Sequence, residues 1–279
     1  MYALQIKFLT ALLLIILTVS LPMSFADTSH SNVDTYQIYY RTITDDILED
    51  MKNFDMVIIE ALQLEPGMVE TLKASNTQVY GYISALEVAT WDNALNEIVK
   101  EDDLLTLDGT VMMHGKNPIG DLRQPSFRSA LLSIIGQRIA ENHLDGLFID
   151  STSVMNDFFG DENIGPDLLK GYTSLLEEIN VTYPELDILQ NRGFAYLESV
   201  SGLLDGVVWE NFDSPRANHV NRYQRRIDLL QSLPDPIDVY TISYKNFDVN
   251  QDHANDLGWV HLNHSAGTSH NVWIPFNGR

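Results

Sequence analysis

Gly146-Leu147-Phe148-Ile149-Asp150 and Asp187-Ile188-Leu189-Gln190-Asn191 are two short β-rich apolar runs. Between them Leu168, Leu169, Tyr172, Leu175, Leu176 and Ile179 fall on one stripe of a helix, spaced i, i+1, i+4, i+7, i+8 and i+11. Strand, crossover helix, strand is the unit from which parallel sheets are built. Working outward in both directions, the same alternation runs from Thr35 onward. Further strands are expected at Gln37–Tyr40, Met56–Ala61, Gln78–Ser84, weakly at Gly120–Arg123, then at Gly206–Asn211 and Val239–Tyr244. Other helical stripes follow Pro125 (Phe127, Leu131, Ile134, Ile135, Ile139) and run through Val220, Tyr223, Ile227 and Leu230. Eight such units in about 250 residues predict an α/β chain folded as a single (β/α)8 TIM barrel. A ninth run, Gly258–His264, is either an edge addition or the replacement for the weak fourth strand. The rival open sheet lacks its phosphate loop, since no G-x-G-x-x-G follows the first strand.

Composition narrows the setting. The 279 residues are 44% hydrophobic and 20% charged, with 17 Lys+Arg against 39 Asp+Glu and no cysteine. A formal charge of −22 repels polyanions, so no nucleic-acid partner is expected. The absence of cysteine excludes disulfides, thiolate metal sites, a Cys nucleophile and a lipoprotein anchor. At the N-terminus Lys7, the apolar run Phe8–Val19, Pro22 and the small-x-small triplet Ser24-Phe25-Ala26 read as an export signal. Residues 1–26 are therefore expected to be a signal peptide and 27–279 the folded domain, secreted or periplasmic and away from the membrane after cleavage. Losing Lys7 takes the charge to −23.

In a barrel of this kind the chemistry sits where strands end in reactive groups. Met56-Val57-Ile58-Ile59 runs into Glu60, Gly146–Ile149 into Asp150, Asp187–Gln190 into Asn191, and Gly206-Val207-Val208-Trp209 into Glu210. A carboxylate closing a buried apolar strand is costly unless it faces a solvated cavity or a helix start. Period-two alternation places Phe148 and Val208 beneath Asp150 and Glu210, and turns Ile149 and Trp209 toward the helices, making Trp209 core and not a sugar platform. Two carboxylates across one mouth suit glycoside hydrolysis, one as proton donor and one as nucleophile or base, their separation setting the stereochemistry.

Val79-Tyr80-Gly81-Tyr82-Ile83-Ser84, Gly120-Asp121-Leu122-Arg123-Gln124-Pro125, Asp145–Asp150, Gln190-Asn191-Arg192-Gly193-Phe194 and Val208-Trp209-Glu210 occur in order over most of the chain. As a set they resemble the endo-α-1,4-polygalactosaminidase-like proteins, glycoside hydrolase family 114. The resemblance implies a (β/α)8 fold and cleavage of α-1,4-linked galactosamine or N-acetylgalactosamine polymers. It implies Asp150 and Glu210 as catalytic residues, Asp150 as nucleophile or stabiliser and Glu210 as general acid/base, or the two exchanged. It further implies Tyr82, Asp121 and Asn191 as substrate contacts; Glu60 and Tyr244, which also close strands, complete the expected binding set. The chain departs from the family pattern at Met112–Pro118, where a Trp-rich stretch is usual, and at Asn191-Arg192-Gly193, where Asn-Gly is usual. A polysaccharide substrate, including a cationic amino-sugar polymer, is compatible with the acidic charge.

No cofactor or metal is expected. His261-x-x-His264 places its histidines on opposite strand faces. Asp248-x-Asn250-x-Asp252 starts like a calcium loop but has His253 and Trp259 where Gly and Glu are needed, and is expected to be a polar loop. Two other functions stay open: a secreted carbohydrate-binding barrel without catalysis, and a glycosidase for another amino-sugar glycan.

Overall fold

A computed structural model describes residues 33–158, 164–218 and 221–277. The expected signal peptide and Val220 lie outside them. Eight strands form one parallel sheet in chain order: β1 (Tyr36–Tyr39), β2 (Met56–Ile59), β3 (Gln78–Ser84), β4 (Gly146–Asp150), β5 (Asp187–Asn191), β6 (Gly206–Glu210), β7 (Asp238–Ser243) and β8 (Val260–Asn263). Each strand pairs with the next, while β1 and β8 lie side by side without a ladder between them. The chain is a (β/α)8 barrel, closed except at that seam.

One strand assignment needs correcting. Gly120–Arg123 is not in the barrel, and the ninth run supplies the eighth strand. The reason is local: the Asp121 carboxylate accepts the Arg123 backbone N–H at 3.0 Å, and Gln124 N–H bonds the Asp121 carbonyl at 2.9 Å, a turn that leads into helix α1 (Pro125–Ile135). Two small hairpins, Thr106–Leu107 with Thr110–Val111 and Met113–His114 with Asn117–Pro118, precede it. The Asp248–Asp252 segment likewise proves to be helical, inside Phe247–Asp256, because Asn250 turns inward to accept Ser214 N–H and donate to Phe212 and Lys245 carbonyls.

Packing follows the two periodicities. Inside the barrel lie Tyr36, Ile38, Met56, Ile58, Tyr80, Phe148, Leu189, Val208, Tyr240, Ile242 and Leu262; the alternate residues Val57, Ile59, Val79, Leu147, Ile149, Ile188, Val207 and Trp209 join the outer core under the helices. Trp209 is fully buried, edge-on to Phe194 and Phe212. Helix α2 (Gly165–Thr182) buries Leu168, Tyr172, Leu175, Leu176 and Ile179, the stripe read from the sequence; its Leu169 is partly buried. Its Gly171 lies against the Leu122–Arg123 backbone, where an added Cβ would meet Leu122 O at 2.4 Å. No helix among the described residues is long and apolar enough to cross a membrane.

Candidate active site

Counting two residues on from the last interior position of each strand gives the inward-facing layer at the C-terminal mouth: Tyr40, Glu60, Tyr82, Asp150, Asn191, Glu210, Tyr244 and His264. A layer so rich in polar and ionisable groups, directly above an apolar one, is where a barrel carries chemistry.

Asn191 joins the two acids. Its single side-chain nitrogen donates to Asp150 Oδ1 at 2.7 Å and to Glu210 Oε2 at 3.0 Å. Both acceptors are acids, so the amide must present its NH2 to them and not its oxygen. The other Glu210 oxygen, Oε1, accepts from Tyr244 OH at 2.9 Å and from His270 Nε2 at 2.8 Å. Burial pushes the Asp150 carboxyl above its ordinary value, and the negative charge of Glu210 adds to the rise; the Ser151 N–H and Asn191 oppose it without cancelling it. Burial acts on Glu210 in the same direction. There the donors His270, Asn191 and Tyr244 together outweigh burial and leave the carboxyl below its ordinary value. The two acids are thus driven apart: one favours holding a proton, the other favours charge.

The backbone is unusual just past each of these three residues. Ser151 (φ 63), Arg192 (φ 58) and Asn211 (φ 59) all sit in the left-handed region, which turns the chain sharply out of the strand. Thr152 Oγ1, two residues after Asp150, donates to the Asn191 carbonyl at 2.6 Å and ties the β4 and β5 exits together.

Of the expected site residues, Asp150, Asn191, Glu210 and Tyr244 form one hydrogen-bonded cluster. Tyr82 stands beside it, its ring 5.0 Å from Tyr40 and its hydroxyl bonded to Ser151. Glu60 belongs to the same layer, but its carboxylate caps the following turn, accepting Leu62 N–H at 3.3 Å. Asp121 does not join: lying off the barrel, it is gripped by Arg123 through Nε at 2.8 Å and Nη2 at 2.7 Å. Sequence reasoning missed Tyr40 and His264, which the period-two rule would have found once β1 and β8 were in register. It also missed His270, which no local pattern marks. Among the described residues no group of three His, Cys, Asp or Glu is placed to hold a metal.

The family model for glycoside-hydrolase family GH114 matches residues 22–259. No curated protein sequence gives a match. Among solved structures, the glycoside hydrolase domain of PelA from Pseudomonas aeruginosa superposes with a TM-score of 0.66 at 19% identity, covering 82% of this chain and 93% of that one. Ega3 from Aspergillus fumigatus, solved in complex with galactosamine, gives a TM-score of 0.56 at 16% identity, with 76% and 78% covered.

Proposed function

Because the chain belongs to glycoside-hydrolase family GH114, we propose that this glycoside hydrolase cleaves α-1,4-linked galactosamine and N-acetylgalactosamine polymers internally, with Asp150 and Glu210 as the reacting pair. The observation that carries the reading is the Asn191 bridge. Bonds of 2.7 and 3.0 Å to one nitrogen keep the two acceptor oxygens less than about 6 Å apart, short of the ~6.5–9.5 Å separation that goes with inversion. The galactosamine in the Ega3 complex and the acidic charge of this chain support an amino-sugar substrate.

In the proposed reaction Asp150 attacks the anomeric carbon from the face opposite the leaving oxygen, and Glu210 gives that oxygen its proton as the glycosidic bond breaks. A covalent glycosyl-enzyme results. Glu210, now a base, takes a proton from water, which displaces Asp150 and restores the original anomer. The titration of the free site favours the exchanged roles: Asp150, held toward its protonated form, suits the acid, and Glu210, held toward charge, suits the nucleophile. Residues 1–26 serve as the signal that exports the domain 27–279 to the periplasm or medium, where such a polymer is met.

The test is mass spectrometry of products from partly deacetylated α-1,4-galactosamine polymer. Wild type should release oligosaccharides, and Asp150→Asn and Glu210→Gln should each lower turnover by at least about 10³-fold with binding retained. Release unchanged by both substitutions would end the proposal. Azide added to the alanine variants separates the roles. With Glu210 as acid/base, Glu210→Ala yields the α-glycosyl azide by attack on the covalent intermediate; with Glu210 as nucleophile it yields the β-azide by direct displacement.

A further inference from the structure

After β8 the described residues form no packed crossover helix. Residues 264–277 run back as an irregular strap over the β8–β1 seam, the one place where the barrel has no ladder. The strap is fastened to the first βα unit at several points. Tyr40 N–H bonds the His270 carbonyl at 3.0 Å, and Gln37 Nε2 bonds the Ile274 carbonyl at 2.9 Å. Asp50 Oδ2 accepts Trp273 Nε1 at 2.8 Å and Phe276 N–H at 3.0 Å. Trp273 stands edge-on to Tyr39 and Phe54, and Phe276 to Phe54. The strap's own residues all lie beyond residue 259, where the family match stops.

The strap delivers one side chain to the mouth. His270 is buried, with its backbone in the left-handed region at φ 50, and its Nε2 reaches Glu210 Oε1. Since a carboxylate oxygen can only accept, that nitrogen carries the proton. We propose that His270 is the positioning residue of Glu210, orienting the carboxylate and setting its ionisation, and that the strap supplies this function to the barrel from outside the family-matched region. The inference rests on Glu210 being one of the reacting acids.

Other groups face Glu210 from each packed element: Asp150 from β4, Asn191 from β5, Tyr36 and Tyr40 from β1 and its exit, Tyr244 from the β7 exit, and His264 from the β8 exit. Arg192 acts on Tyr244 from a greater remove. Asp150, Tyr36 and Tyr40 disfavour charge on Glu210 or are neutral, while Asn191 and Tyr244 support it with hydrogen bonds donated from the barrel itself. Burial takes His264 down to about 4, so it too is neutral above that pH. Among the strap's residues it is therefore His270 that supports the charge directly.

The test uses the intact chain labelled with 13C at glutamate carboxyls, the Glu210 resonance being assigned by its loss in Glu210→Gln. His270→Ala should move the Glu210 midpoint up by about one pH unit or more. His270→Gln, whose amide can still donate, should recover part of the difference, a rescue that a purely structural role would not give. Trp273→Ala, or Asp50→Asn if that variant fails to fold, should reproduce most of the shift by loosening the strap. An unmoved midpoint in His270→Ala overturns the proposal, and an unmoved midpoint in both strap variants overturns the strap's part in it. Turnover is read separately: wild-type product release by Glu210→Gln would remove the catalytic reading whatever the titration shows.

Discussion

At the level of single residues, the two acids should have opposite effects on stability. Asp150 has a folded value above its ordinary one, so the native state keeps a proton that the unfolded chain gives up. It therefore weakens the fold as pH rises from its ordinary value through the raised one, and the full cost is present above that. Glu210 has a lowered folded value, so it adds stability above its ordinary value and loses it as pH falls through the folded one. Thermal melts at pH 7 should show Asp150→Asn above wild type and Glu210→Gln below it, the first gain vanishing toward pH 3. Equal losses in both variants would contradict this sign pattern. A carboxylate retained at a cost in stability is what a reacting group in a buried mouth entails. Asn191 holds both acids toward charge, so Asn191→Ala should raise both values; the acid limb of the rate profile then moves up and turnover falls about 10²-fold or more.

At the level of elements, close approach of backbone explains why α2 can seat where it does. Gly171→Ala would push a methyl into the Leu122–Arg123 backbone, which cannot yield as a flexible side chain would. Urea unfolding should find a loss of about 1–3 kcal/mol, with kinetics of the surviving native enzyme nearly unchanged. A larger effect is expected at the buried pair of Asp92 and Arg138, bonded through Nη1 at 2.9 Å between the loop after β3 and the turn after α1. Asp92 also caps a helix through Leu95 N–H at 3.1 Å. Asp92→Ala leaves a buried guanidinium alone and should cost about 3–5 kcal/mol, read from the same unfolding curves. Elements also mark the reach of sequence reasoning. Gln78–Ser84, Gly146–Asp150 and Asp187–Asn191 are strands as read from the sequence, because their apolar runs are unambiguous. Gly120–Arg123 misleads, since Asp121 bonding its own chain two residues on makes a turn that a scan for extended runs does not see.

On the scale of the whole molecule, the formal charge of −22 is the dominant property. If the substrate is a cationic galactosamine polymer, raising salt from about 0.05 to 0.5 M should lower kcat/KM on deacetylated polymer several-fold and leave acetylated polymer nearly unaffected. Equal salt dependence on both would remove charge steering. Acids also line the opposite end of the barrel, where Asp145 accepts Val79 N–H, Asp205 accepts Ile188 N–H and Asp187 accepts the Tyr80 hydroxyl. Burial, with repulsion from neighbouring acids, raises Asp187 and Asp205. By the same sign rule as for Asp150, they weaken the fold as pH rises through their raised values.

The amino-acid sequence alone determined the barrel, the acids at its strand ends and the side of each strand they occupy. Those follow from period-two and period-3.6 patterns, which depend on the local backbone and are written in neighbouring residues. Only the tertiary structure decided which acids share a donor, that Asp121 pairs with Arg123 and not with the cluster, that Val260–Asn263 supplies the eighth strand, and that His270 reaches Glu210 across 60 residues of chain. These are contacts made through space when the chain closes on itself, and no spacing along the sequence encodes the direction from which a distant segment returns.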